Sequence, residues 1–296
     1  YQMPRFFPSA TAENIVIGVS ASESRSTYSV LITDHVASLH AVDMVGSQYF
    51  PLYVYDDPED AESPANPQQA GLFEGKAKVA ARQRRDAITT EGLAHFQAAY
   101  PGESITREDI FYYVYGLLHS PDYRERFADN LGKDLPRIPC VTSAADFHAF
   151  SHAGRNLAQL HLGYESVAIY PAKVDGDEIG KPPRLPAAEY RVEKMRFGKS
   201  GKDKDLSTIH YNHRITVSGI PKEAYDSVVN GKPAIEWVMD RQVVKTDKDS
   251  GIVNDANDWA VETVGNPRSP LELQLRVITV SVETMKIVDS LAENAE

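Results

Sequence analysis

Two switches of hydrophobic period constrain the fold of this chain more than any other feature. Between residues 14 and 55, short runs rich in β-branched and aromatic residues alternate with turns, and Ile15–Val19, Tyr28–Ile32 and Tyr49–Tyr55 read as strands. From 74 to 170 the apolar residues recur at helical spacing. After a stretch holding Pro171, Pro182, Pro183 and Pro186, strand-like alternation returns at Tyr190–Phe197 and Thr208–Val217. Blocks of strand, helix and strand without regular βαβ alternation imply an α+β fold. They exclude a coiled coil and a repeat solenoid. No apolar run approaches the ~20 residues of a membrane span.

Capping signals sharpen the helical block. Thr90 to Tyr100 reads as one helix, stopped by Pro101-Gly102. Thr106 with Asp109 forms a capping box ahead of Ile110, Phe111, Val114, Leu117 and Leu118. Ser120-Pro121 supplies an N-cap and a first-turn proline. That helix is expected to end at Gly132 as a left-handed cap. Ser143 with Asp146 opens another helix, running to Gly163. Lys76–Ala87, with Lys76, Lys78, Arg82, Arg84 and Arg85, is also expected to be helical. Asp56 to Pro67 reads as an acidic, proline-containing loop, and 171–189 as a linker. Further on, Pro221 opens a short helix ending at Asn230-Gly231, and Ala234–Val244 is helical. Residues 245–268 form a polar loop, and Ser269-Pro270-Leu271-Glu272 starts a long final helix.

Catalytic signatures are missing. There is no Gly-Lys-Ser/Thr phosphate loop and no His-Glu-x-x-His. Gly18-Val19-Ser20-Ala21-Ser22 lacks the last glycine of a nucleophile elbow. His148 and His152 stand four apart on a helix, with His161 beyond, but no carboxylate follows at ligand spacing. Asp247-Lys248-Asp249-Ser250-Gly251 starts like a calcium loop without its twelfth-position glutamate. The single cysteine, Cys140, permits no intramolecular disulfide, and a reducing, cytoplasmic setting is expected. The start Tyr1-Gln2-Met3-Pro4 carries no secretion signal, and a fragment of a longer polypeptide is expected, with any catalytic motifs elsewhere.

Charge then points to a ligand. The net charge of −11 disfavours a non-specific nucleic-acid binder. From Tyr190 to Ile215, however, seven basic residues face three acids, a local excess of four positive charges. A strand–loop–strand ribbon there, with lysines at its tip and Asn, His and Arg on its return strand, suits a reader of phosphates and base edges. An edge-protecting hairpin uses lysines in the same way. Asn254-Asp255-Ala256-Asn257-Asp258-Trp259 reads as a tight loop, or as a second polar contact surface.

The segment Ile110-Phe111-Tyr112-Tyr113-Val114-Tyr115-Gly116-Leu117-Leu118-His119-Ser120-Pro121-Asp122-Tyr123-Arg124-Glu125-Arg126-Phe127, followed by Leu131 and Leu135-Pro136-Arg137-Ile138-Pro139, resembles a block of large single-chain restriction–modification enzymes. Leu157-Ala158-Gln159-Leu160-His161-Leu162 resembles its companion block. Thr208 to Asn212, Val217 to Pro221, Asn230 to Val238 and Gly251 to Asp255 are similar to the specificity region of Type ISP enzymes. Ala256 departs from the pattern, where proline is expected. The resemblance implies target recognition in a polypeptide that also carries an adenine methyltransferase and a translocating endonuclease. It implies duplex DNA and that methyltransferase as partners, with no membrane. S-adenosylmethionine, ATP and magnesium belong to the parent enzyme and no cofactor to this segment. Its Asn-Pro-Pro-Tyr tetrapeptide is absent here.

The expectation is therefore an α+β protein in three parts: a small sheet over 1–60, helices over 74–170 and a recognition unit over 190–296. Lys199, Lys202 and Lys204 are expected on phosphates, and Arg196, Asn212 and Arg214 nearer the bases. His210, His213, Lys245, Lys248, Asn254 and Asn257 complete the expected DNA-binding set, with no catalytic or metal-binding residue. The competing expectations are a scaffold that couples to the methyltransferase without reading bases, and an enzyme using His148 and His152.

Overall fold

A computed structural model describes residues 2–20, 27–42, 46–56 and 82–292. It is a mixed α+β fold with small antiparallel sheets, divided into two compact units, residues 1–158 and 159–296. Lys76, Lys78 and most of the acidic loop after Asp56 lie outside the described residues.

The first unit begins with α1 (Met3–Phe6) and strands β1 (Val16–Ser20), β2 (Val30–Thr33) and β3 (Ser47–Pro51) in the order β2-β1-β3. All five residues of β1 are buried, which is why Val16–Val19 carries no polar side chain, and the buried Ser20 bonds to Ser29. β4 (Tyr53–Tyr55) pairs with β5 (Arg84–Asp86). The expected helix over 76–87 is thus replaced at its end by a strand. Arg84 lies 4.3 Å over the Tyr53 ring and Arg85 pairs with Asp56 at 2.5 Å, so two of the five basic residues are used in holding a hairpin.

Helices α2 (Thr90–Ala99), α3 (Arg107–Leu117), α4 (Pro121–Arg126), α5 (Ala128–Leu131) and α6 (Ala144–Leu162) follow. The Thr106–Asp109 capping box forms, and the Ser120 hydroxyl accepts from the Tyr123 amide. Gly132 is right-handed (φ −82), so it ends its helix without the left-handed cap expected of it. Phe96, Tyr100, Tyr113, Phe147 and Phe150 build the aromatic core, with Tyr113 stacked on Phe147 at 4.9 Å. Three tyrosine hydroxyls then donate to one extended segment: Tyr123 to Arg137 O, Tyr113 to Pro139 O and Tyr100 to Val141 O, at 2.6–2.8 Å. α3 and α6 cross backbone to backbone at Gly116 and Gly154. A Cβ on Gly154 would run into the Tyr112 carbonyl, and one on Gly116 into the Phe150 carbonyl.

The second unit holds a four-stranded sheet in the order β6-β9-β8-β7, from β6 (Lys173–Asp175), β7 (Arg196–Ser200), β8 (Asp203–His210) and β9 (Thr216–Ser218). The segment expected as a linker therefore contributes an edge strand. Its Asp177 makes a buried ion pair with Arg268 at 2.7 Å, and Arg268 also donates to Lys181 O. β10 (Val228–Val229) and β11 (Lys232–Pro233) form a hairpin across Asn230 (φ 50) and Gly231 (φ 70). Asn-Gly there makes the two-residue turn with both φ angles positive that suits tight hairpins, where a helix end was expected. α7 (Ala234–Arg241) follows. β12 (Lys245–Thr246), β13 (Val253–Asn254) and α8 (Ala256–Glu262) occupy the stretch expected as loop, and α9 (Ser269–Ala292) closes the chain. Phe197, Ile209, Val217 and Val174 point to one side of the sheet. They pack in a core with Ile235, Met239, Leu271, Leu275 and Ile278 from α7 and α9. His161 is half-buried beside α9, its Nε2 2.8 Å from the Thr284 hydroxyl, and loss of solvent pushes its pKa down to about 4.

Candidate nucleic-acid interface

β7 and β8 form the expected ribbon, with a tighter tip than the polar loop the sequence suggests. Ser200 faces Asp203, so the turn is only Gly201-Lys202, with Gly201 at φ +64. Lys199 faces Lys204 directly. Like charges opposite one another destabilise a strand pair. Lys204 offsets part of that by lying 5.1 Å over the Phe197 ring. Lys199 and Lys202 are exposed and make no ion pair among the described residues. Below the tip the register jumps: Gly198 faces Asp205, and Phe197 faces Ile209. Leu206, Ser207 and Thr208 have no partner on β7, a bulge that bends the strand, while Thr208 stays paired with Ser218 of β9. Gly198 makes room for the bulge, since a Cβ there would lie 3.0 Å from Thr208 Cβ. The bulged carbonyls are not orphaned: Tyr225 Oη donates to Leu206 O and the Ile220 amide to Ser207 O.

At the base of the ribbon, Arg196 and His210 form an exposed cross-strand pair, and His210 Nδ1 is 3.2 Å from the Thr216 hydroxyl. Asn212, His213 and Arg214 do not lie on the return strand. They form the tight turn between β8 and β9. The Asn212 amide is fully used by the backbone. Its Nδ2 donates to Glu189 O and Arg191 O, and its Oδ1 accepts from the amides of Arg214 and Ile215. An Asn side chain has two donors and two lone pairs, so nothing remains for an adenine edge. Asn212, expected near the bases, is placed here as a turn-former. His213 and Arg214 remain exposed, 3.6 and 3.4 Å from Glu189 Oε2.

Asn257 is placed in the same way. It is buried, its Oδ1 accepts from the Val192 amide, and its Nδ2 donates to Val192 O and Asp255 Oδ1. Asp255 is the N-cap of α8 and pairs with Arg191 at 2.5 Å. Burial alone would raise the Asp255 pKa, but the bonds from Asn257 and Arg191 outweigh it and hold the carboxyl below the usual range. Ala256 is the first residue of that helix, the one helical position where proline is also at home.

These bonds converge on Glu189–Glu193. Glu189 O and Arg191 O take Asn212, and Tyr190 O takes the Tyr211 hydroxyl. Val192 takes Asn257 on both its N–H and C=O, and Glu193 O takes the Val244 amide. One five-residue spine thus mounts both the ribbon and the 245–258 hairpin. On that hairpin Lys245 faces Asn254, and both are exposed, as is Lys248 near its tip. Asp247 is not set up as a calcium ligand. Its Oδ1 accepts from the Ser250 amide and hydroxyl and the Asp249 amide, which lower its pKa and close the turn. Among the described residues no group of three His, Cys, Asp or Glu is placed to hold a metal, and His148 sits 3.1 Å from Glu103. The spine and Gly198 escaped sequence reading. The spine's sequence shows only the alternation of a strand, whereas its bonding partners lie 21 to 65 residues away.

The Type ISP C-terminal specificity domain model matches residues 1–273. The chain belongs to that family. Three solved structures are similar to this specificity domain over 98% of its length. One is a nuclease-deletion mutant of the Type ISP restriction-modification enzyme LlaGI with a DNA substrate mimic (33% identity, TM-score 0.73). The second is the ATP-dependent Type ISP restriction-modification enzyme LlaBIII bound to DNA (36%, 0.76), and the third a DrdV–DNA complex (32%, 0.76). The specificity domain covers 22%, 16% and 26% of those three chains. No curated protein sequence matches it significantly. No helix among its described residues is long and apolar enough to cross a membrane.

Proposed function

We propose that this domain recognises a specific duplex DNA sequence on behalf of a restriction–modification polypeptide, whose methyltransferase and translocating nuclease act outside it. The observation that carries this reading is the bulged ribbon with two bare lysines at its tip, mounted with a second lysine-bearing hairpin on one hydrogen-bonded spine. The DNA carried by the three similar structures supports it. Lys199, Lys202, Lys204, Lys245 and Lys248 neutralise phosphates. Arg196, His210, His213, Arg214 and Asn254 are the remaining exposed candidates for base edges. Any S-adenosylmethionine, ATP or magnesium chemistry belongs to the rest of the polypeptide, in a reducing cytoplasm.

Selection from randomised duplexes with the full polypeptide tests this. A recovered consensus that is lost on changing Arg196 or Arg214 is expected. Equal recovery of all sequences by folded protein overturns it.

Exposed Trp259 (56%), Val261 and Val264 around α8 favour a second, compatible contact. They suit packing against the methyltransferase part of the same polypeptide. Loss of DNA discrimination in a Trp259→Ser variant that still methylates non-specifically would indicate that this contact couples the two.

A further inference from the structure

The positive charge of the ribbon is graded. At the tip, Lys199 and Lys202 are bare. At the base two arginines have acids beside them: Arg191 has Asp255 and Asp258, while Arg214 shares Glu189 with His213; Arg196 has no ion pair among the described residues. The Glu189 arrangement differs from an ordinary surface ion pair. Its Oε2 is shielded from solvent and accepts no hydrogen bond, although the Arg214 guanidinium and the His213 imidazole stand within 3.6 Å. The residue is fixed at its other end, because its carbonyl is held by Asn212, which also shapes the turn carrying Arg214. Asn212 thus sets the backbone at both Glu189 and Arg214 side by side, while the contact between the two side chains lacks a well-formed hydrogen bond. Arg214 has five donors and donates no well-formed bond to Glu189, so a ligand with two aligned acceptors displaces the acid easily. A lone phosphate met at random gains less, because it must compete with a charge already in place.

From this geometry we propose that Glu189 is a specificity-determining residue. It covers Arg214 and His213 against indiscriminate phosphate contact and releases Arg214 only to a DNA site whose acceptors fit it. This inference rests on the DNA-recognition reading above. It extends that reading by making an acid part of the recognition surface, selectivity being built through repulsion as well as attraction. Physically, an uncovered Arg214 adds one cation to every encounter with DNA. A covered Arg214 adds it only where the complex is in register.

The test uses the full polypeptide and two duplexes, the selected target and a scrambled one, over a series of salt concentrations. In Glu189→Gln, affinity for the scrambled duplex is expected to rise about three- to fivefold, the scale of one exposed ion pair. Its log–log salt dependence should steepen by ~0.9, the signature of one more phosphate contact. The ratio of target to scrambled affinity should fall. Glu189→Asp, which withdraws the carboxylate by one carbon while keeping its charge, should move the same way by less, with thermal melting confirming the fold. In Glu189→Gln/Arg214→Gln the scrambled-duplex affinity should return to that of Arg214→Gln alone. If Arg214→Gln weakens DNA binding but both Glu189 variants leave scrambled affinity and salt slope unchanged, the inference is overturned and the DNA reading stands. If Arg214→Gln and the tip lysine changes alter binding to neither duplex, the DNA reading falls and this inference with it.

Discussion

The α3–α6 crossing and the Glu189–Glu193 spine are both places where backbone meets its neighbours closely, and they are built by opposite means. At the crossing, side chains are removed: two glycines let helix backbones touch, and tyrosine hydroxyls peg the segment that follows. At the spine, side chains are supplied: two asparagines and a tyrosine substitute for strand partners that the sheet does not provide. The first solution is steric and depends on volume. The second is polar and depends on every donor finding its acceptor. The lesson is that a scaffold tolerates no added atoms at the one, and no lost hydrogen bonds at the other.

The largest expected effect breaks the steric side. Gly154→Val should cost about 3 kcal/mol or more, because its Cβ meets a carbonyl fixed in α3. Denaturant melts measure it, and a loss under 1 kcal/mol would show that the crossing yields. Next comes acid. His161 has its folded pKa depressed to about 4, below the ordinary value near 6.5, so the unfolded chain binds the proton more readily. Its contribution is full above about pH 6.5 and is lost as pH falls towards 4, at up to about 1.4 kcal/mol per pH unit. Hydrogen exchange should show α9 opening as pH drops through this window while α3 holds, and His161→Gln should flatten the trend. Uniform opening of both helices would remove the contrast.

Asn257→Ala probes the polar side. It leaves the buried Val192 N–H and C=O without partners and should cost about 2–3 kcal/mol. It should also loosen target preference through the unmounted hairpin, seen as a lower target-to-scrambled affinity ratio. Intact discrimination would mean that the hairpin takes no part in reading. The smallest effects belong to the tip. Lys199→Ala and Lys202→Ala should each weaken all duplexes alike and lower the salt slope by ~0.9, with melting temperature nearly unchanged.

The same contrast explains what the sequence discloses. The Thr106–Asp109 box and the Ser120-Pro121 start were legible because capping is a local contract, settled within three residues. The α+β class and the ribbon followed from hydrophobic period. Asn230-Gly231 suits both the end of a helix, as expected of the one opened at Pro221, and the short hairpin that it makes. The placing of Asn212 and Asn257 was not legible, for a deeper reason. An asparagine advertises four hydrogen-bonding positions, and nothing local says whether a base or a distant backbone will fill them. Here Asn257 finds Val192 across 65 residues. The resemblance identified the family without disclosing which polar residues are mortar and which face outward.

The shared spine also bears on how such a domain changes over generations. The bonds that hold the ribbon and the 245–258 hairpin end below their tips, at Asn212 and Asn257. Residues 199–204 and 247–252 can therefore mutate without disturbing the mount. On the proposed reading, a lineage can explore new target sequences at little risk to folding, while the two asparagines that hold the mount must be inherited intact.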